Sequence, residues 1–148
     1  MINIIINKNF QNSFPEHLID KFCQVTLNYC EEASTDVTVV IDTDAFIQNL
    51  NKQYRGIDEA TDVLSFDIDH IDPETGRRYL GDIVISAQTV ERSAKANGIS
   101  LIEETRLVIV HGLLHLLGYD HSSPDEEQKM WAEQNKIVEL IKETSMNQ

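Results

Sequence analysis

His111, His115 and His121 fall within eleven residues, in the run His111-Gly-Leu-Leu-His115-Leu-Leu-Gly118-Tyr-Asp-His121. In a helix over 107–117, His111 and His115 are i and i+4 neighbours on one face, with Cβ atoms about 5–6 Å apart. Two imidazoles at that spacing can converge on one ion, whose Zn–N bonds are ~2.0–2.1 Å. Gly118 can adopt the left-handed conformation that ends a helix and turns the chain, returning His121 to the same point as a third ligand. Three nitrogens leave the fourth tetrahedral position to water, the arrangement of a catalytic zinc site rather than a structural one. The chain therefore reads as a metal-dependent hydrolase with one Zn2+ on His111, His115 and His121. Imidazole ligands also suit Ni, Cu and Fe.

Ligating histidines are neutral, and each hands its other N–H to a carboxylate or carbonyl. Asp120, beside the third ligand, and Asp62 and Asp82, at strand edges, could take that role. Asp120 is equally readable as a turn carboxylate accepting backbone N–H bonds, and it is also a candidate general base. The spacing H-x3-H-x2-G-x2-H coincides with that of metzincin metalloproteases, which use a Glu beside the first histidine as general base. Gly112 stands at that position and cannot accept a proton, which disfavours peptide hydrolysis. His17 and His70 read as surface or loop residues with no assigned role.

The elements that must position these groups follow from periodicity and punctuation. Ile2–Ile6 and Asp36–Asp42 read as strands, with a helix between them opened at Pro15 and running to about Glu32. Thr43 or Asp44 caps a helix to about Tyr54 that Gly56 ends. Val63–Phe66 is a short strand, Asp69–Arg78 a mobile loop, and Leu80–Ile85 a strand returning as a hairpin. Ser86–Asn97 is helical and stopped by Gly98. Ser100 and Glu103 form a capping box for a helix to Leu117, apolar nearly all round and so centrally buried. Ser123-Pro124-Asp-Glu opens a last helix to about Glu143. The order predicts an α+β fold, about four strands in a mixed sheet packed with about five helices in one domain, 1–148, and the metzincin-type histidine spacing likens that domain to the zincins.

Net charge is −13, which argues against non-specific nucleic-acid or DNA binding, where a basic face is expected. Lys52/Arg55 and Arg92/Lys95 could still face a cleft, whereas Arg77/Arg78 read as solvated surface charge. The N-terminus lacks a basic n-region, and the apolar run 107–117 is shorter than the ~20 residues a membrane span needs. A cytoplasmic protein without membrane contact is expected. Cys23 and Cys30, two helical turns apart, read as free thiols too distant for a disulfide.

Three ordered blocks carry a resemblance to a known family. The run His111–His121 resembles the signature of the YbeY family of bacterial endoribonucleases and rRNA maturation factors. Leu50-Asn-Lys-Gln-Tyr54-Arg55-Gly-Ile-Asp58 followed by Thr61-Asp-Val-Leu-Ser-Phe66 resembles the family's central motif, and Leu80-Gly-Asp-Ile-Val-Ile-Ser86 its next strand. Ala60 and Asp67 replace prolines usual in the family, which alters backbone stiffness around a loop rather than any reactive group. The resemblance implies zinc on His111, His115 and His121 and a single-stranded RNA substrate. It also implies 16S rRNA 3′-end maturation and ribosome quality control, with the ribosome or ribosomal proteins as partners. It carries the family's functional arginine onto Arg55. A guanidinium there can pair two phosphate oxygens, or, as a helix C-terminal residue, the helix's own carbonyls. Two rival readings stay open: a zinc-containing ribosome-assembly factor without essential catalysis, and a metallopeptidase.

Overall fold

The computed structural model describes residues 1–120 and 122–146, with backbone alone for 145 and 146. The chain runs β1 (Ile2–Ile6), α1 (Glu16–Tyr29), β2 (Asp36–Asp42), α2 (Asp44–Arg55), β3 (Val63–Ile71), β4 (Arg78–Ser86), α3 (Ala87–Asn97), α4 (Leu101–Leu116) and α5 (Pro124–Met146). The four strands form one sheet in the order β1-β2-β4-β3. The first three are parallel, and β3 lies antiparallel on the outside of β4. This is the mixed sheet and α+β class expected from the sequence.

Alternation along the strands decides which helix covers which face. Val37, Val39 and Ile41 of β2 stand in register beside Gly81, Ile83 and Ile85 of β4, and all three are fully buried in the main core with α1 and α4. The intervening residues turn the other way, where Ile47 of α2 packs against Leu64 and Val84. Thus α2 and α4 lie on opposite sides of the β3–β4 pair. As its all-round apolar pattern requires, α4 is central and packs against α1, α3, α5, β3 and β4.

Local signals fixed the helix ends well. The Thr43, Ser86 and Ser100 hydroxyls accept from the backbone N–H groups of Phe46, Thr89 and Glu103 at 3.1, 3.3 and 3.1 Å, each satisfying a donor that the first turn leaves unpaired. The hairpin departs from expectation. In place of a mobile loop over 69–78, β3 continues to Ile71 and β4 begins at Arg78, with His70 opposite Tyr79. A tight turn closes it, Asp72 N–H donating to the Arg77 carbonyl at 2.8 Å.

Nor are Arg77 and Arg78 merely solvated. The Arg77 guanidinium donates to both oxygens of the Asp36 carboxylate, at 2.6–3.2 Å, and Arg78 pairs with Asp69 and Glu32. Arg77, aided by the N-terminal ammonium, holds the Asp36 carboxyl down to about 2. Cys23 and Cys30 are free thiols, and burial pushes the pKa of both upward, which keeps them protonated and unreactive.

Candidate functional site

The C-terminal half of α4 carries His111 and His115 one turn apart on a half-buried face. Their ring centroids are 4.7 Å apart and the planes nearly perpendicular, at 82°. The helix then stops as the sequence requires. Gly118 takes φ +99°, and the Tyr119 N–H reaches back to the Leu114 carbonyl at 3.0 Å, turning the chain away from the helix axis. His121, the third expected ligand, lies outside the described residues. Among the described residues, no three His, Cys, Asp or Glu side chains converge as a ligand set.

Both imidazoles open into a cleft of about 410 Å³ between α4 and the edge of the sheet. Its floor follows from the register of β3: Val63, Ser65 and Asp67 alternate onto the α4 side, opposite Ile85, Ile83 and Gly81. Arg55, Thr61, Asp62 and Leu116 complete the wall. Arg55 leaves the last turn of α2, on the other side of the sheet, and its Nη2 donates to the Ser65 carbonyl at 3.2 Å. The Ser65 hydroxyl in turn donates to the Gly112 carbonyl at 3.3 Å. One strand residue therefore ties the guanidinium to the helix turn bearing His111. The connection after α2 is held by Asn51, buried beneath it, whose amide donates to the Glu59 carbonyl at 3.0 Å.

Gln134 escaped the sequence reading. Its Oε1 lies 3.2 Å from His111 Nδ1. An amide oxygen can only accept, so this contact favours the tautomer with its proton on Nδ1 and its lone pair at Nε2, the form that ligates metal. Among the described residues, two adjacent imidazoles, one beside an acceptor that favours the ligating tautomer, form a donor pair of the kind that suits a zinc ion. A signal was present in the sequence, because Gln134 interrupts the apolar stripe Met130, Ile137, Ile141 of α5 at helical spacing. Gln134→Ala is expected to weaken zinc binding about 10–100-fold, the usual cost of losing such an orienting partner. Titration against a competing chelator reads this directly; an unchanged affinity would assign Gln134 to packing alone.

The carboxylates sort differently from their order in the sequence. Asp62 lines the cleft and accepts its own chain's Val63 N–H at 2.9 Å and the Thr61 hydroxyl at 3.3 Å. Asp82 is no partner of the histidines: it projects from the opposite side of β4, where the Tyr79 hydroxyl donates to it. Asp120 is exposed and borders a different depression with Tyr119, Ser122, Glu126 and Lys129. Asp67 corrects the reading of its position as one of stiffness only, since the residue lines the cleft and adds a carboxylate to it. Gly112 explains itself too. A Cβ there would lie 3.2 Å from Ile83 and 3.4 Å from Val63, so α4 sits close on the sheet and any larger residue would push those side chains aside by a few tenths of an ångström. A glutamate at this place would point into the sheet, not at the histidines.

Comparison with known proteins agrees with this architecture. A family model described as Endoribonuclease YbeY matches residues 3–142. The Endoribonuclease YbeY of Persephonella marina is 35% identical over 144 residues, covering 96% of this chain and 94% of that protein. That of Aquifex aeolicus is 42% identical over 120 residues, covering 81% and 79%. That of Heliobacterium modesticaldum is 42% identical over 113 residues, covering 70% and 68%. Among solved structures, the solution structure of TM1509 from Thermotoga maritima superposes with a TM-score of 0.67 at 30% identity, covering 99% of this chain and 93% of that one.

Proposed function

The chain belongs to the YbeY endoribonuclease family, and from that premise we propose that it is a zinc-dependent endoribonuclease that cleaves phosphodiesters of single-stranded RNA. The observation that carries the proposal is the convergence of two perpendicular imidazoles and one guanidinium on a single cleft. His111, His115 and His121 would hold one Zn2+, with Gln134 fixing the tautomer of the first. When bound, the ion supplies positive charge against phosphoryl oxygens and acidifies water at its open position.

The chain's own groups divide the remaining work. Arg55, steered by the Ser65 carbonyl, directs its remaining N–H donors at the phosphate and stabilises the charge that builds on its oxygens. Asp62 and Asp67 would offset the attraction of Arg55 for a phosphate in a metal-free cleft, so a bound cation would strengthen substrate entry. Asp62 and Asp67, which line the cleft, join Asp120 as candidates to accept a proton from the attacking water. Single strands suit a concave site because their backbone can bend into it and their bases are unpaired.

On the same reading the cellular substrate is the 3′ end of 16S rRNA, met in the cytoplasm on the ribosome and serving both its maturation and its quality control. A net charge of −13 makes intrinsic RNA affinity weak and favours recruitment through a basic ribosomal protein. That same charge lends support to a second reading, an assembly factor whose zinc only orders the fold. Incubating purified protein with one RNA sequence as single strand and as duplex separates the two. Cleavage of the single strand, stopped by a chelator and restored by zinc, is expected; chelator-resistant or duplex-indifferent cleavage would overturn the mechanism, and no cleavage at all would favour the assembly factor.

A further inference from the structure

Tyr54 stands one residue before Arg55 on the last turn of α2 and is 63% exposed. Its ring meets Phe66 at a centroid distance of 5.7 Å and an angle of 73°. Phe66 projects from β3 on the side opposite Ser65 and Asp67, and its inner part packs against the Ile47, Leu64 and Val84 cluster. One aromatic is therefore rooted in the core, while the other rests edge-on against it and leaves most of its surface to solvent. Tyr54 adds little to that core. Phe66 sits on the edge strand and Tyr54 on the helix above it, on the face of β3 opposite the cleft, and Arg55 reaches the Ser65 carbonyl of the same strand. Lys52, on the same helical turn, is paired with Asp58 at 3.9 Å, so the charge beside the pair comes chiefly from Arg55.

Resting on the RNA reading above, we infer that the Tyr54–Phe66 pair is a stacking subsite for one unpaired nucleobase, belonging to the strand whose phosphate Arg55 holds. Consecutive Cα atoms are 3.8 Å apart, so guanidinium and ring start from neighbouring points on the helix. A phosphate at the strand edge can then send its own or an adjacent base over that edge onto Tyr54. An aromatic face accepts any base, so the subsite confers preference for unpaired strands without dictating sequence. A base held in a duplex cannot reach it. This assigns Tyr54 a binding role separate from the charge chemistry of Arg55.

The test pairs Tyr54→Ala and Tyr54→Trp with a short RNA single strand carrying an abasic nucleotide at each position in turn, read as equilibrium binding to the full chain. Tyr54→Ala is expected to bind the intact strand on the order of 10-fold more weakly, with an unchanged melting temperature, while Tyr54→Trp binds like the parent protein. One abasic position should cost the parent a similar factor and cost Tyr54→Ala nothing further. Equal binding by Tyr54→Ala, or an abasic penalty that persists in it at every position, overturns the inference. A change in sedimentation of Tyr54→Ala without loss of RNA binding overturns it too, assigning the face to self-association. If the parent protein binds no single-stranded RNA, the RNA reading itself fails, an outcome distinct from normal parental binding with no effect of Tyr54.

Discussion

A double substitution, His111→Ala with His115→Ala, is expected to give a folded protein that retains no zinc and cleaves RNA at least about 10³-fold more slowly. A metal contributes several kcal/mol of charge stabilisation, and each 1.36 kcal/mol is a factor of ten in rate. The fold should survive because both side chains are only half-buried on α4, whose attachment rests on Val108, Ile109, Val110, Leu113 and Leu114. Alanine is also the strongest helix former. Metal analysis, circular dichroism and single-turnover cleavage on one preparation give the three readouts. His121→Ala should reproduce the loss of metal and activity if the third ligand is assigned correctly. A metal-free double variant that still cuts RNA at the parental rate would remove zinc from the mechanism.

What could be read from the sequence, and what could not, follows the range of the interactions involved. Caps at Thr43 and Ser100 and the stop at Gly118 were legible because each is decided within four or five residues, whereas Ser86, read as the first helical residue, is the cap of α3. The outer half of the hairpin was not: Asp67-Ile-Asp-His-Ile71 has acidic, exposed positions that read as loop, and what pairs it is Arg78 and Tyr79 on the returning strand. Of the site, the two helical histidines were readable from their spacing alone. Gln134 was hidden because its partner lies 23 residues away on another helix. Ser65 and Asp67 join the cleft only through strand alternation, which requires the register of β3 on β4. Asp82 was misplaced for the same reason, since a shift of one residue along a strand exchanges one face of the sheet for the other.

Arg55→Glu is expected to leave zinc content and melting temperature near the parental values while lowering cleavage on the order of 10²–10³-fold, the range found when a positioned donor to developing charge is removed. The rival view, that Arg55 merely neutralises the carbonyl end of α2, makes the opposite forecast: lower stability and an unaltered rate. The geometry already separates them in part. Arg55 donates to the Ser65 carbonyl of β3, and the end of α2 is closed by the backbone N–H of Gly56 on the Asn51 and Lys52 carbonyls. Arg55→Lys provides the finer discrimination, because an ammonium keeps the charge but loses the planar fork. It should recover part of the rate lost in Arg55→Glu and fall short of the parent, with the deficit in kcat rather than KM if the contact strengthens as charge builds on the phosphate. Full recovery by lysine would reduce Arg55 to a source of local charge. Loss of zinc in Arg55→Glu would instead show that the guanidinium holds the helix and strand together through Ser65, a positioning role with no direct hand on the phosphate.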